Sequence, residues 1–153
     1  MKKYQFTLAK LRAYKKQMME REKNKLLALR TERLRAEERL EGLQKQFEDM
    51  QRRFQEKMHR GTDVHSLQLY EMQKRTILEE QHSLRLHIQT LDTSVERQRR
   101  ALVRISQEVS GLDKLEEAQK EEYAKLVVKD NEAMIEEFLS FRMQQPGLEP
   151  EPT

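Results

Sequence analysis

The chain has 153 residues, 37% of them charged and 36% hydrophobic, with no Cys and a formal net charge of +3. That leaves too little apolar side chain for a thick globular core, but enough for a narrow seam between helices. Disulfides and thiolate metal sites are excluded, and no stretch approaches the roughly 18 apolar residues that cross a bilayer.

The start, Met1-Lys2-Lys3, has the charge of a secretory leader, but Lys10, Arg12 and Lys15 break the apolar run that should follow. No signal peptide is expected, and the absence of Cys fits an intracellular location. A first helix is expected over about 4–59. Leu8, Leu11 and Met18 open it as a weak seam. A second frame then holds through Leu26, Leu29, Arg33, Ala36, Leu40, Leu43, Phe47, Met50 and Phe54. The two frames differ by an insertion around Glu22–Leu26, which predicts a stutter and a loosened start.

The break falls at His59-Arg60-Gly61-Thr62-Asp63-Val64. Gly61 suits the left-handed residue that closes a helix, and Thr62 or Asp63 suits the cap that opens the next. A second helix is expected over about 64–143. From Leu67 to Leu126 it repeats alternating steps of three and four residues, a period of about 3.5 that marks a helix wound on a partner helix. Lys74, Gln81, Gln98, Glu116 and Gln119 interrupt this seam as register devices or loosened core. Beyond Leu126 the seam slips to Val127, Met134, Phe138 and Phe141. Pro146 ends the helix and a disordered tail is expected over 146–153.

Charge selects the partner of the second helix. Residues 1–35 hold 12 Lys/Arg against 3 acids, whereas residues 108–153 hold 12 acids against 5 Lys/Arg. A parallel dimer would set like against like, whereas a hairpin turning at Gly61 lays the basic start beside the acidic end. The short connection favours the same arrangement. The fold class is therefore all-α: an antiparallel two-stranded coiled-coil hairpin in a single domain of residues 1–145, expected as a monomer. Residue i should then face roughly residue 121 − i, leaving about 25 residues of helix 2 beyond the start of helix 1. That overhang is expected to carry Tyr123, Leu126, Val127, Met134, Ile135, Phe138, Leu139 and Phe141, an apolar stripe that reads as an interaction site or a fold-back.

Catalytic chemistry has no foothold. His82 and His87 are five residues apart and do not share a helix face, so no metal site is expected. There is no Gly-rich phosphate loop or Ser-centred elbow, and a two-stranded rod offers no dry concave site for paired carboxylates. No enzyme activity and no cofactor are expected. The basic start faces the acidic end instead of nucleic acid. Phe47, Phe54 and Tyr70 take seam positions near the turn, and with Met50, Met58 and Met72 form an adaptable apolar patch.

Four segments resemble the flagellar export protein FliJ family. They are Phe6-Thr7-Leu8-Ala9-Lys10-Leu11; Phe54–Gly61 followed by Leu67-Gln68-Leu69-Tyr70; Val95-Glu96-Arg97 with Leu112–Glu117; and Glu121-Glu122-Tyr123 with Glu136-Glu137-Phe138. The resemblance implies a non-enzymatic component of the flagellar type III export apparatus, folded like the central stalk of a rotary ATPase. It implies binding to a hexameric export ATPase and to the cytoplasmic part of the membrane export gate. Coupling of ATP hydrolysis to export would follow, with help to export substrates or their chaperones. Such a protein serves flagellum biogenesis, motility and chemotaxis from the cytoplasmic face of the cell membrane, at the flagellar base, without inserting into it.

By the stalk analogy the open end meets the ATPase, through Tyr4, Phe6, Lys10, Arg12, Tyr14, Lys15, Met134, Phe138 and Phe141. The turn end is left for the gate, through Phe47, Met50, Phe54, Tyr70, Met72 and Ile77. A generic coiled-coil scaffold or spacer is the alternative. A rotary-ATPase stalk subunit is a third reading, disfavoured because nothing is left for a domain between the helices.

Overall fold

The computed structural model describes residues 3–144. Among them are two long helices, α1 (Ala9–Arg60) and α2 (Val64–Met143), and no strand. They pack antiparallel against each other. The tail expected over 146–153 lies outside the described residues.

The turn follows from three side chains. Gly61 takes φ +90°, a left-handed conformation that strains any residue with a Cβ. Its N–H donates to the carbonyl of Met58 at 3.3 Å, which closes α1. Asp63 is the N-cap of α2: its Oδ1 accepts the Ser66 N–H at 2.9 Å. Hydrogen bonds from the Ser66 side chain and backbone hold the Asp63 carboxyl below its ordinary value.

The contacts fall into two compact units. The turn unit is Gln17–Ile105. Here every member of the α1 frame from Leu26 to Phe54 is buried or half-buried, and so is every α2 seam position from Tyr70 to Ile105. Leu26, Ala36, Leu43, Ile77, Leu91 and Ile105 form its core. Gln81 is buried with them, and its Nε2 donates to Gln44 Oε1 at 3.2 Å. The Gln98 side-chain amide donates to the backbone carbonyl of Glu22 at 3.2 Å and to the Glu22 carboxylate. These polar pairs satisfy the seam and fix its register, because a slip of one turn strands them. At the turn the register is shifted by about one helical turn from the expected pairing: Phe54 stacks on Tyr70, ring centroids 3.9 Å apart, while Leu67 is exposed.

The terminal unit comprises the described parts of Met1–Lys16 and Ser106–Thr153. The first helix was expected from near Tyr4, but residues 3–6 are not helical and α1 begins at Ala9. The Ala9 N–H donates to the Phe6 carbonyl at 3.2 Å, turning the chain so that Phe6 is buried. Tyr4 reaches α2: its hydroxyl donates to the Glu116 carbonyl at 3.4 Å, and its ring lies 5.6 Å from that of Tyr123. The overhang was expected to begin near residue 118, but Gln119, Tyr123 and Val127 are half-buried, with Tyr4 against Tyr123; only past Val127 is every described residue of α2 exposed.

Leu11 is exposed, and the half-buried residues ahead of the buried Leu26 are Leu8, Arg12, Lys15, Met18, Met19 and Glu22. Counting only apolar residues had put Leu11 into a seam that Arg12 occupies. Its aliphatic stem lies in the seam while the guanidinium reaches acids on α2.

Candidate functional site

Two surfaces carry the candidate residues, one in each unit. In the turn unit, Phe47, Met50, Phe54 and Tyr70 are half-buried, Ile77 is buried and Met72 is exposed. Met50, Met72 and Ile77 meet in one groove of about 530 Å³, edged by Asp49 and Arg53. Met50 also lines a smaller cleft with Phe54 and Tyr70. The Phe54 and Tyr70 rings stack nearly parallel and are each half-buried. Phe47 contributes from within the seam and lines neither groove.

In the terminal unit the candidates divide. Arg12 is paired with Glu116 and, at 3.5 Å, with Asp113; Lys15 is paired with Glu108 at 2.8 Å. The Arg12 guanidinium also lies 5.1 Å from the centroid of the Phe6 ring, and the Lys120 ammonium 5.9 Å from that of Tyr4. Tyr4, Phe6, Arg12 and Lys15 are therefore held inside the helix pair. Lys10 and Tyr14 face solvent. On α2, Met134, Phe138 and Phe141 are 68%, 60% and 57% exposed, with Ile135 and Leu139 beside them.

The sequence reading missed the acids that answer the basic start: Glu108, Asp113 and Glu116 on α2 in this unit. It also missed Asp92 and Glu80, which pair with Arg33 and Arg39 in the turn unit. Their signal was available in the register: Glu80, Asp92, Glu108 and Asp113 each lie about one turn or less from the position that pairing assigns, and Glu116 about two turns. Glu96 lies below its ordinary value because it accepts hydrogen bonds from Arg99 on its own helix. This is a surface pair.

Among the described residues no group of three or more His, Cys, Asp or Glu is placed to hold a metal, and no helix is long and apolar enough to cross a membrane. The grooves are open and shallow, and several polar side chains pair one helix with the other. Two long helices packed antiparallel along a heptad seam define a two-helix coiled-coil protein. Residues 4–148 match the family described as Flagellar FliJ protein, and the chain belongs to that family. It is thereby a component of the flagellar export apparatus, in a family of non-enzymatic export proteins. No curated protein and no solved structure matches the chain.

Proposed function

We propose that this chain binds the hexameric export ATPase at its open end and the cytoplasmic part of the export gate near its turn, helping to couple ATP hydrolysis to protein export. The observation that carries this reading is the exposed stripe of Met134, Phe138 and Phe141 on a helix that continues past its intramolecular partner. Lys10 and Tyr14 add a basic and an aromatic contact to the ATPase end, while Tyr4, Phe6, Arg12 and Lys15 shape that end from within the seam. The gate contact is the groove of Met50, Met72 and Ile77 with the adjoining Phe47, Phe54 and Tyr70. Flexible Met side chains suit a surface that adapts to a partner. Export substrates or their chaperones are further partners, and the chain acts as a monomeric hairpin on the cytoplasmic face of the membrane at the flagellar base.

Two variants test the two contacts. Deleting residues 127–153 should weaken capture by the export ATPase while leaving the helical circular dichroism signal per residue intact. Undiminished capture would overturn the ATPase contact. Replacing Phe54, Tyr70 and Met72 with Ala should reduce swimming with little loss of helicity, and normal swimming would remove the gate contact.

A further inference from the structure

The last four turns of α2 have a chemistry of their own. At about 100° per residue, Val127, Met134, Ile135, Phe138 and Phe141 fall on one side of the helix. Asp130 and Glu137, seven residues apart, run along one edge of this stripe, and Glu132 along the other. Phe141 shares a cleft with Glu136 and Glu137, so carboxylates and an apolar ring are presented together. Between Val128 and Met143 there are four acids and two cations, Lys129 and Arg142. The partial negative charge of a helix C-terminus adds to the same sign.

We propose that residues 127–141 of α2 form a docking surface for a basic amphipathic helix of a partner protein. Three observations select that occupant. The first is continuity: the half-buried positions Gln119, Tyr123 and Val127 lead directly into the stripe, so the interface made by α1 stops while its α2 side goes on. The second is charge. One step upstream, α2 already takes a basic helix, through Arg12 on Glu116 and Lys15 on Glu108, and the stretch beyond repeats the combination of apolar seam and acidic flank. The third is ring chemistry. Phe6 and Tyr4 each have a cation near the ring, and the cation near Phe138 among the described residues is Arg142 of its own helix, 5.8 Å from its centroid. A Lys- or Arg-flanked helix supplies further cations to exposed rings. An anionic membrane surface is repelled by the same carboxylates. A second copy laid on this stripe opposes acid to acid along most of its length.

The inference rests on the reading of the overhang as a partner-binding end and specifies the partner's chemistry. Its test uses the full chain and two synthetic probes of about 18 residues, enough to cover four turns. Both carry Leu at the seam positions, one with Lys and Arg flanks and one with Glu flanks. Fluorescence anisotropy should show the basic probe binding at least about tenfold more tightly. Phe138→Ser with Phe141→Ser should remove that binding. Asp130→Lys with Glu137→Lys should reverse the preference, whereas Glu56→Lys with Glu79→Lys in the turn unit should leave it unchanged.

Equal binding of both probes, or an unaltered preference after reversal at 130 and 137, overturns the proposal. So does a concentration-dependent dimer in sedimentation that the Ser variant abolishes, or a gain in probe binding on deleting 145–153. Cosedimentation with vesicles containing phosphatidylserine, lost in the Ser variant, would overturn it in favour of a lipid surface. If truncation at 127 abolishes ATPase capture but the charge reversals do not alter it, the ATPase reading stands and the basic-helix chemistry falls.

Discussion

The turn unit and the terminal unit use the same two helices to make different interfaces. In the turn unit the seam is mostly apolar, interrupted by Arg33 and Lys74, by Gln81, which pairs with Gln44, and by Gln98, which pairs with Glu22. In the terminal unit the α1 side of the seam is Arg12 and Lys15, and acids on α2 receive them. Burial of apolar area holds the first and is nearly indifferent to salt. Partly exposed ion pairs and two aromatic residues folded back from the chain start hold the second, and salt screens those pairs. One end of a heptad protein can thus be made firm and the other adjustable without any change of fold, by the choice of residue at seam positions alone.

Removing a core side chain should produce the largest effect. Leu91 is 4% exposed in the middle of the turn unit. Leu91→Ala should destabilise by about 2 kcal/mol, at the low end for buried Leu, because a two-stranded seam leaves the site close to water. Urea unfolding followed by circular dichroism measures it. A loss no greater than that of Arg12→Ala would erase the distinction between the two units.

A smaller change of opposite sign is expected at the amide pair of Gln81, which is buried, and Gln44, which is exposed. Gln44→Leu with Gln81→Leu replaces a polar pair by apolar contact and should raise stability by about 1 kcal/mol, at the expense of register and oligomeric specificity. Light scattering after size exclusion should reveal added dimer or a mixture. Gln81→Leu alone should gain less, because it leaves the Gln44 amide without its protein partner.

Arg12→Ala should cost about 1 kcal/mol or less, in keeping with a partly exposed ion pair. The informative readout is local. Hydrogen exchange should quicken over the first turns of α1 and around Glu116, with protection at Leu43 and Leu91 unchanged. Raising salt to about 1 M should mimic the variant in the terminal unit only. Uniform loss of protection would show that the adjustable end is not separable from the firm one.

This contrast also explains what could be read in advance. The α1 frame from Leu26 to Phe54 and the α2 frame from Tyr70 to Tyr123 are visible in the sequence because large apolar residues recur at heptad spacing, and the structure turns those residues inward. Gly61 next to Thr62 and Asp63 marks the turn for the same local reason. The start of α1 was misread where the seam becomes polar. Arg12 and Lys15 declare themselves only against Glu116 and Glu108, residues about a hundred positions away. Tyr4 stands at a helical spacing from Leu8, yet its place is decided by Glu116 and Tyr123, contacts that no local window contains. Of the candidate surfaces, the overhang was legible in kind but not in extent: counting residues on either side of Gly61 starts it near residue 118, whereas α2 stays half-buried as far as Val127. The groove of Met50, Met72 and Ile77 needs the actual register, which at the turn differs from the expected one by about a turn of helix.

The smallest expected effect concerns the cap at the turn, and its sign is fixed by protonation. Asp63 accepts hydrogen bonds from Ser66, which favour the charged carboxylate and lower its pKa from 3.8. A carboxylate with a lower pKa in the folded chain than in the unfolded one stabilises the fold fully above the unfolded value. That contribution fades as pH falls through the folded value, when the carboxyl takes up its proton and loses its strength as an acceptor. A carboxyl-resolved NMR titration should therefore place the Asp63 midpoint below 3.8. Asp63→Ala should lower the melting temperature slightly at pH 7 and leave it equal to that of the parent chain well below the Asp63 midpoint. Asp63→Ser should retain most of the difference at pH 7, since a hydroxyl also caps a helix, and should lose the pH dependence. A melting difference between parent and Asp63→Ala that persists unchanged into strong acid would mean that Asp63 acts through packing at the turn and not as a charged cap.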